Sequence, residues 1–240
     1  MTQKKIPTAA IILIGNEILS GRTKDLNGNY LAKKLFNLGI SVREIRIIPD
    51  EKIEIIDSIN TFRKKFDYVF SSGGIGPTHD DITAECVAEA FGVPLPINQK
   101  AKRMLASNYP GGESDLNEAR LRMARIPLGS SLIENSISKA PGFKIENVFV
   151  LAGVPKIFQV MVDFVLNNLE PADPIISKTM PIYKPEGEIA GKLSQIASEF
   201  PEVSIGSYPF ETDGIFGTNI VVISTNKEII NKIITLISKI

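Results

Sequence analysis

The sequence predicts an α/β fold in which a mostly parallel sheet carries helices on both faces, followed by a small α+β appendix. The first observation is that short apolar runs alternate with segments of helical periodicity through residues 8–165. The second is a proline-containing segment, residues 170–174, that is typical of a linker. The third is the order strand, helix, strand, strand, helix in residues 175–240. We therefore expect two domains, residues 1–170 and residues 175–240.

The elements of the first half follow from apolar patterns and the residues that interrupt them. Residues 8–14 form a continuous apolar run that ends at Gly15, which is typical of a buried central strand. Gly39 is placed to end a helix, and Asp50 is placed to cap the next one. The predicted order is strand 8–14, helix 30–38, strand 42–48, helix 53–62, strand 68–71 and a helix from about residue 81 to residue 91.

The second half is less regular before it returns to the same alternation. Residues 108–141 contain turn clusters at 109–112 and 140–143 and no clear period. Long irregular stretches in a compact α/β domain usually bind ligands or other subunits. The further predicted elements are a helix after residues 95–104, strand 147–151, helix 157–165, strand 175–183, helix 186–200, strands 203–207 and 215–224, and helix 227–240.

Composition excludes several classes of function. The chain has 27 basic and 27 acidic residues and no net charge, so we expect no nucleic-acid partner and no membrane partner. No segment approaches the ~18–20 apolar residues of a membrane span, and the apolar start is too short for a secretory signal. The single cysteine, Cys86, is predicted to be a buried structural thiol, which fits a reducing, cytoplasmic location.

The most informative segment is the run from Ser71 to Thr83, which reads SSGGIGPTHDDIT. It follows a predicted strand and precedes a predicted helix. Gly73, Gly74 and Gly76 let the backbone bend tightly and approach a ligand without an intervening Cβ, and the helix N-terminus behind them favours phosphate. The adjacent Asp80 and Asp81 are either helix caps or ligands of a divalent cation held with that phosphate.

Ligands of open parallel sheets bind beyond the carboxyl ends of the strands. Four predicted strands are each followed by a segment that contains glycine or acidic residues: residues 15–21, Asp50, residues 73–81 and residues 152–155. Because these ends meet at one edge of one sheet, we favour functional roles for Asp50 and Asp81, with Glu17 as a further candidate. His79 is either an acid or base or a solvated hydrogen-bonding group.

The familiar nucleotide and hydrolase fingerprints are missing. Residues 15–21 match neither the dinucleotide-binding glycine motif nor a P-loop. Residues 187–193 have one residue too few between their glycines, and Leu193 stands where a P-loop has serine or threonine. No nucleophile elbow of the form G-x-S-x-G occurs.

Residues 15–21 (GNEILSG), Asp50 and residues 73–83 (GGIGPTHDDIT) resemble the molybdopterin-binding, molybdenum-cofactor biosynthesis-like family. The chain is most similar there to the N-terminal domain of CinA, and similar also to the corresponding domain of FAD synthases. The resemblance runs from about residue 8 to residue 169. It implies a three-layer α/β sandwich that binds a pterin or nucleotide pyrophosphate at the sheet edge. Asn16 and Ala152 depart from the family pattern, which often has aspartate and proline there.

The resemblance also implies a set of site residues. The counterparts of Asp50 and Asp81 are functional acids that work with Mg²⁺, so we predict them as catalytic and metal-binding. The predicted ligand-binding residues are Gly15, Glu17, Gly21, Gly73, Gly74, Gly76, Pro77, Thr78, Asp80, Thr83, Gly142, Gly153 and Pro155. Lys100, Arg103 and Arg120 are candidates for a cation that completes the phosphate site.

The expected function is metal-dependent hydrolysis of a nucleotide pyrophosphate, with substrates like ADP-ribose or FAD. The expected cofactor is Mg²⁺ or another divalent cation, with molybdopterin as the other cofactor considered. The alternatives are a non-catalytic molybdopterin- or nucleotide-binding module and an interaction protein that no longer uses its pocket. Neither the deamidase domain of CinA nor the nucleotidyltransferase domain of FAD synthase is matched, so neither activity is implied. We expect a homo-oligomer, with a dimer favoured, and an appendix that shapes assembly or the pocket rim without chemistry of its own.

Overall fold

In a computed structural model, residues 6–169 and 172–240 are described. They fall into two compact units, Met1–Ala172 and Asp173–Ile240. The predicted linker at 170–174 lies partly outside the described residues, since Glu170 and Pro171 are among those not described.

The first unit is built on a six-stranded sheet. Its strands are β1 Thr8–Ile14, β2 Ser41–Ile48, β3 Tyr68–Ser72, β4 Ser131–Ile133, β5 Gly142–Ile145 and β6 Val148–Leu151. They lie in the order β2-β1-β3-β6-β5-β4. The four strands β2, β1, β3 and β6 run parallel, whereas β5 is antiparallel to β6 and β4 is antiparallel to β5. The prediction of a mostly parallel sheet is confirmed.

Helices cover both faces of this sheet because its central strands are apolar on both sides. Along β1, Ile12 packs into one core with Phe62 and Val87, and Ile11 packs into the other with Leu35 and Phe158. The helices are α1 Asn16–Leu19, α2 Asn27–Asn37, α3 Lys52–Lys65, α4 Thr83–Phe91, α5 Gln99–Ala106, α6 Glu118–Arg122 and α7 Pro155–Leu166. Helices α3 and α4 contribute to the first core, and α2 and α7 to the second, which gives the predicted three layers.

The irregular segment contains more structure than the sequence predicts. It holds a 3-10 turn at Gly112–Asp115, the helix α6 and the edge strand β4. The predicted turn at 140–143 is wrong in part, because Gly142 begins β5, where a Cβ would collide with the carbonyl oxygen of Val150. Strands of three and four residues are too short to show an alternating pattern, so their signal is absent from the sequence.

The second unit has the predicted order of elements around an antiparallel sheet, β7-β9-β8. Its own core includes Ile189, Ile220, Val222, Ile230 and Ile233. The bounds are β7 Ile176–Ile182, α8 Glu186–Glu199, β8 Ser204–Thr212, β9 Ile215–Ser224 and α9 Lys227–Ile237. Strand β8 runs past the predicted end through Pro209, which an edge strand tolerates because it needs fewer hydrogen-bond donors. None of the helices in the described residues is long and apolar enough to cross a membrane.

Candidate functional site

A cavity of about 500 Å³ opens at the carboxyl ends of β1, β2, β3 and β6, formed by the loops that follow these strands. This is the edge where open parallel sheets bind ligands. Its wall includes most of the predicted site residues, namely Gly15, Glu17, Asp50, Gly73, Gly74, Gly76, Pro77, Asp80, Asp81, Gly153 and Pro155.

The glycine loop is fixed by the ends of three strands. The Gly73 N–H donates to the carbonyl oxygen of Leu151 in β6 at 3.1 Å. Gly73 has φ of 110°, and a Cβ there would overlap the Ile14 carbonyl oxygen at the end of β1. A Cβ on Gly153 would lie 3.3 Å from the Gly73 Cα. Glycine is therefore required where the loops after β1, β3 and β6 converge.

Thr83 ties this loop to the helix behind it. The Thr83 hydroxyl donates to the Gly73 carbonyl oxygen at 3.0 Å, and the Thr83 N–H donates to the Gly74 carbonyl oxygen at 3.0 Å. Thr83 is fully buried as the first residue of α4 and does not line the cavity. It shapes the loop from behind rather than facing a ligand.

Asp81 folds back over the loop. One of its carboxylate oxygens, Oδ2, accepts from the Thr78 N–H at 2.8 Å and from the Thr78 hydroxyl at 2.5 Å. A Cβ on Gly76 would lie 2.6 Å from that oxygen. The alternative role as a cap of α4 is wrong, because Ile82 occupies the cap position with no side-chain hydrogen bond. The Thr78 hydroxyl also lowers the pKa of the neighbouring Asp80.

Asp50 is held by the loop after β1. Its Oδ2 accepts from the Asn16 N–H at 2.9 Å, while Glu51 occupies the cap position of α3 without a side-chain hydrogen bond. The predicted helix-capping role of Asp50 is therefore wrong. Partial burial raises the pKa of Asp50, and the negative charges of Glu17, Asp80 and Asp81 raise it further, against the lowering effect of the Asn16 hydrogen bond.

These carboxylates do not form a complete metal cage by themselves. In residues 6–169 and 172–240, no group of three or more His, Cys, Asp or Glu side chains is arranged to hold a metal ion. Magnesium is commonly bound by one or two carboxylates together with substrate phosphates and water. The acids fit that kind of site, in which the ligand supplies part of the coordination.

Four predicted ligand-binding residues do not line the cavity: Gly21, Thr78, Thr83 and Gly142. Gly21 has φ of 70° and closes the turn after α1. Thr78 serves the site through Asp81. Gly142 lies within the sheet, for the packing reason given above.

The three predicted cations also lie elsewhere. Lys100 pairs with Glu134 at 3.6 Å, and Arg120 stacks over the ring of Tyr109 at 4.1 Å. Neither they nor Arg103 line the cavity. Arg122 donates to the Asp81 carbonyl oxygen at 3.3 Å and pairs with Glu85 at 3.6 Å, but it does not line the cavity either.

His79 is exposed and lines a separate cavity rather than the wall beside Asp50 and Asp81. Cys86 is buried in α4, as predicted, and desolvation raises the pKa of its thiol to about 11. A thiol with that pKa is protonated at neutral pH and is a poor nucleophile.

Sequence reasoning missed the residues that shape the site from the irregular segment. Asn135 is 2% exposed, and its side-chain oxygen accepts from the N–H groups of Ile137 and Ser138 at 2.9 and 3.1 Å. Its amide nitrogen donates to the Ser138 hydroxyl and the Ala140 carbonyl oxygen at 2.7 and 2.9 Å. This network fixes a turn that contributes Ser138 and Ala140 to the cavity wall. An asparagine near serine and proline is a turn signal, but nothing local shows where the turn docks.

Residues 10–171 match the family model described as a probable molybdopterin binding domain. The chain belongs to this family. Residues 174–239 match the model of the middle domain of FAD synthase. The two matches adjoin close to the boundary between the two compact units.

Relatives and solved structures agree with that assignment. A protein of Archaeoglobus fulgidus is 36% identical over 83% of this chain and 84% of its own length. A probable FAD synthase of Caenorhabditis elegans is 32% identical over 98% of this chain, which spans 50% of that protein. The solved structure of CinA from Thermoplasma acidophilum, a protein of unknown function, aligns with a TM-score of 0.63 at 36% identity, covering 68% of this chain and 97% of that one. The resemblance to CinA and FAD synthase predicted from the sequence is confirmed.

Proposed function

We propose that the cavity binds the pyrophosphate of a nucleotide, together with Mg²⁺ or another divalent cation, and hydrolyses it. The observation that carries the proposal is that Asp50 and Asp81, from two different strand ends, line the same cavity as the glycine loop. Partial burial raises the pKa of Asp50, and repulsion from the charges of Glu17, Asp80 and Asp81 raises it further. A divalent cation would relieve that repulsion and hold two phosphates beside the loop.

The chain's own groups divide the work in this proposal. The backbone N–H groups of Gly74 and Gly76 hold one phosphate. Asp81 has one oxygen fixed by Thr78 and offers the other to the cation. When bound, the cation polarises the phosphoryl oxygens and neutralises their charge.

Asp50 then takes a proton from the attacking water. Its Oδ2 is fixed by Asn16, and partial burial, the largest cause of its raised pKa, favours uptake of a proton. Water adds to one phosphorus, the bridging oxygen leaves with the other, and two phosphate monoesters result. ADP-ribose would give AMP and ribose 5-phosphate, and FAD would give AMP and FMN.

The second candidate function is a non-catalytic module that binds a pterin such as molybdopterin, or a nucleotide. It is favoured by the family description and by the absence of a three-carboxylate metal group in the described part of the chain. It uses the same cavity and the same glycine loop. Turnover, rather than binding, separates the two candidates.

Asp81→Asn tests the first candidate. The amide can still accept from Thr78, so we expect the fold to remain, while loss of the charge lowers metal-dependent hydrolysis of ADP-ribose or FAD by about a hundredfold or more. Asp57→Asn, at an exposed position on α3, is the matched control and should keep wild-type activity. If Asp81→Asn unfolds the protein while activity per folded molecule is unchanged, Asp81 has only a structural role.

The proposal also covers the cellular location, the oligomeric state and the partners of the protein. We propose a cytoplasmic location, supported by the single buried cysteine. We further propose a homo-oligomer, with a dimer favoured by the resemblance to CinA, and no nucleic-acid or membrane partner. Exposed apolar side chains on the second unit, such as Tyr183, Tyr208 and Phe216, support a role for it in assembly.

A further inference from the structure

We propose that Asn27, the first residue of α2, is a positioning residue of this site. It joins the ends of two adjacent strands, β3 and β6, whose following loops line the cavity. Its amide nitrogen donates to the hydroxyl of Ser72 at the end of β3, at 2.9 Å, and to the carbonyl oxygen of Gly153 after β6, at 2.7 Å. The inference rests on the proposed function of the cavity.

The backbone of Asn27 is itself held in place by residues next to it in the sequence. The Asp25 carboxylate accepts from the Asn27 N–H at 3.0 Å and from the Gly28 N–H at 3.1 Å. Gly28 lies so close that a Cβ there would be 2.9 Å from Asp25 and 3.2 Å from Leu13 in β1. The start of α2 is therefore held against the end of β1, and Asn27 has little freedom to move.

Asn27 can donate these two hydrogen bonds in only one orientation of its side-chain amide. Gly153 offers a carbonyl oxygen, which requires a donor, so the amide cannot rotate by half a turn without losing that bond. In this orientation the Asn27 side-chain oxygen is buried and has no hydrogen-bond partner in the described part of the chain. An unpaired buried polar atom costs stability. Asn27 is 6% exposed, so water screens this cost only weakly.

The cost of the unpaired oxygen is explained if the two donated hydrogen bonds position the loops that line the cavity. Gly153 packs against Gly73, and Gly73 packs against the end of β1, so a shift of the Gly153 loop would move the glycine loop as well. Gly73, Gly74, Gly153 and Pro155 all line the cavity, whereas Asn27 does not. Asn27 thus acts through the two loops after β3 and β6. It fixes their positions, and these loops line the cavity in which a pyrophosphate would be held.

Asn27→Leu in the full chain tests the role, with Asn37→Leu at the exposed end of the same helix as the matched control. The first readout is amide hydrogen exchange, which needs no ligand. We expect faster exchange in residues 73–76 and 152–154 of the Asn27 variant and wild-type rates in β4 and β5. Unchanged exchange in both loops would overturn the proposal.

The second readout is affinity for ADP-ribose in Mg²⁺, measured well below the melting temperature. We expect about tenfold weaker binding by Asn27→Leu and wild-type binding by Asn37→Leu. If stability falls while affinity per folded molecule is unchanged, Asn27 is merely structural and the proposal is wrong. Asn27→Ser, a smaller change, replaces the leucine variant if that one does not fold.

The two readouts separate this proposal from the one on which it rests. Wild-type protein that binds ADP-ribose without turnover would contradict the hydrolase and leave the affinity comparison intact. Wild-type protein that binds none of ADP-ribose, FAD and AMP would contradict the proposed function, and hydrogen exchange would then decide whether Asn27 positions the loops.

Discussion

Asp50 lies in an environment that disfavours the charged form of its carboxylate. Its carboxylate is partly buried and faces Glu17, Asp80 and Asp81, and both effects raise its pKa. Only the hydrogen bond from the Asn16 N–H acts in the opposite direction. A partly buried carboxylate among other carboxylates does nothing for a helix cap, whereas the proposed cation and phosphate site accounts for it.

This setting has a consequence for stability that depends on pH. Below the unfolded-state pKa, Asp50 is protonated in both states and contributes nothing. As pH rises through the interval up to its raised folded-state pKa, the unfolded chain loses the proton more readily, so the folded state loses stability. Above that interval the loss is complete.

We therefore expect Asp50→Asn, without metal, to melt at or above the wild-type temperature at pH 7. Its amide oxygen can still accept from Asn16. The advantage should vanish at about pH 3, where the wild-type carboxyl is protonated. Thermal melts across this range check the prediction, and Asp57→Asn should show no such pH-dependent gain. A clear fall in melting temperature at pH 7 would mean that Asp50 stabilises the fold.

Single residues were predictable from the sequence where their local context carried the signal. Asp50 comes just after one predicted strand, Asp81 comes at the end of the glycine loop after another, and the structure places both in one cavity. The hydrogen-bond partner of Asp50 was not predictable, because Asn16 meets Asp50 only after two strands pair in register. Arg122 was missed for the same reason, since it meets Asp81 across a long stretch of chain. Asn135 was missed because its local turn gives no sign of where it docks.

Among the elements, the strand β3 and the loop after it carry most of the site. The strand is buried between β1 and β6, so its end is fixed on both sides. The sequence predicts this unit well because a buried strand, a glycine loop and a helix follow one another directly. It predicts β4 and β5 poorly, because such short strands take their stability from pairing with neighbours rather than from a local pattern.

Gly73→Ala tests the requirement for glycine in this loop. Both the positive φ and the overlap with the Ile14 carbonyl oxygen oppose the new methyl group. We expect a loss of more than about 1 kcal/mol in the free energy of unfolding and weaker ligand binding.

Gly129→Ala is the matched control for that variant. Gly129 has φ of 88°, yet nothing lies within 4 Å of a Cβ placed there. It carries the backbone strain without the overlap, so it should cost less in urea denaturation than Gly73→Ala. Equal losses would show that the approach of the Ile14 carbonyl oxygen does not matter.

At the scale of the whole molecule, two units with separate cores share one chain. The first unit holds the cavity with its acids and glycine loop, and it matches the probable molybdopterin binding domain. The second unit has its own antiparallel sheet and matches the middle domain of FAD synthase. The order of elements in the second unit, and of the longer strands and helices in the first, was predictable from apolar periodicity. The pairing order of the strands was not predictable, since it depends on contacts distant in sequence.

We propose that the first unit breaks a pyrophosphate bond with a divalent cation, and phosphorus NMR follows both the substrate and the products of this reaction. The 240-residue chain is incubated with ADP-ribose and Mg²⁺, and the signals of the pyrophosphate and of phosphate monoesters are followed over time. We predict conversion to two monoesters, its loss on addition of chelator, and its loss in Asp81→Asn but not in Asp57→Asn. Pyrophosphate signals that broaden on binding but persist without conversion, for ADP-ribose and FAD and with Mg²⁺, Mn²⁺ and Co²⁺ alike, would contradict the hydrolase and favour a binding module.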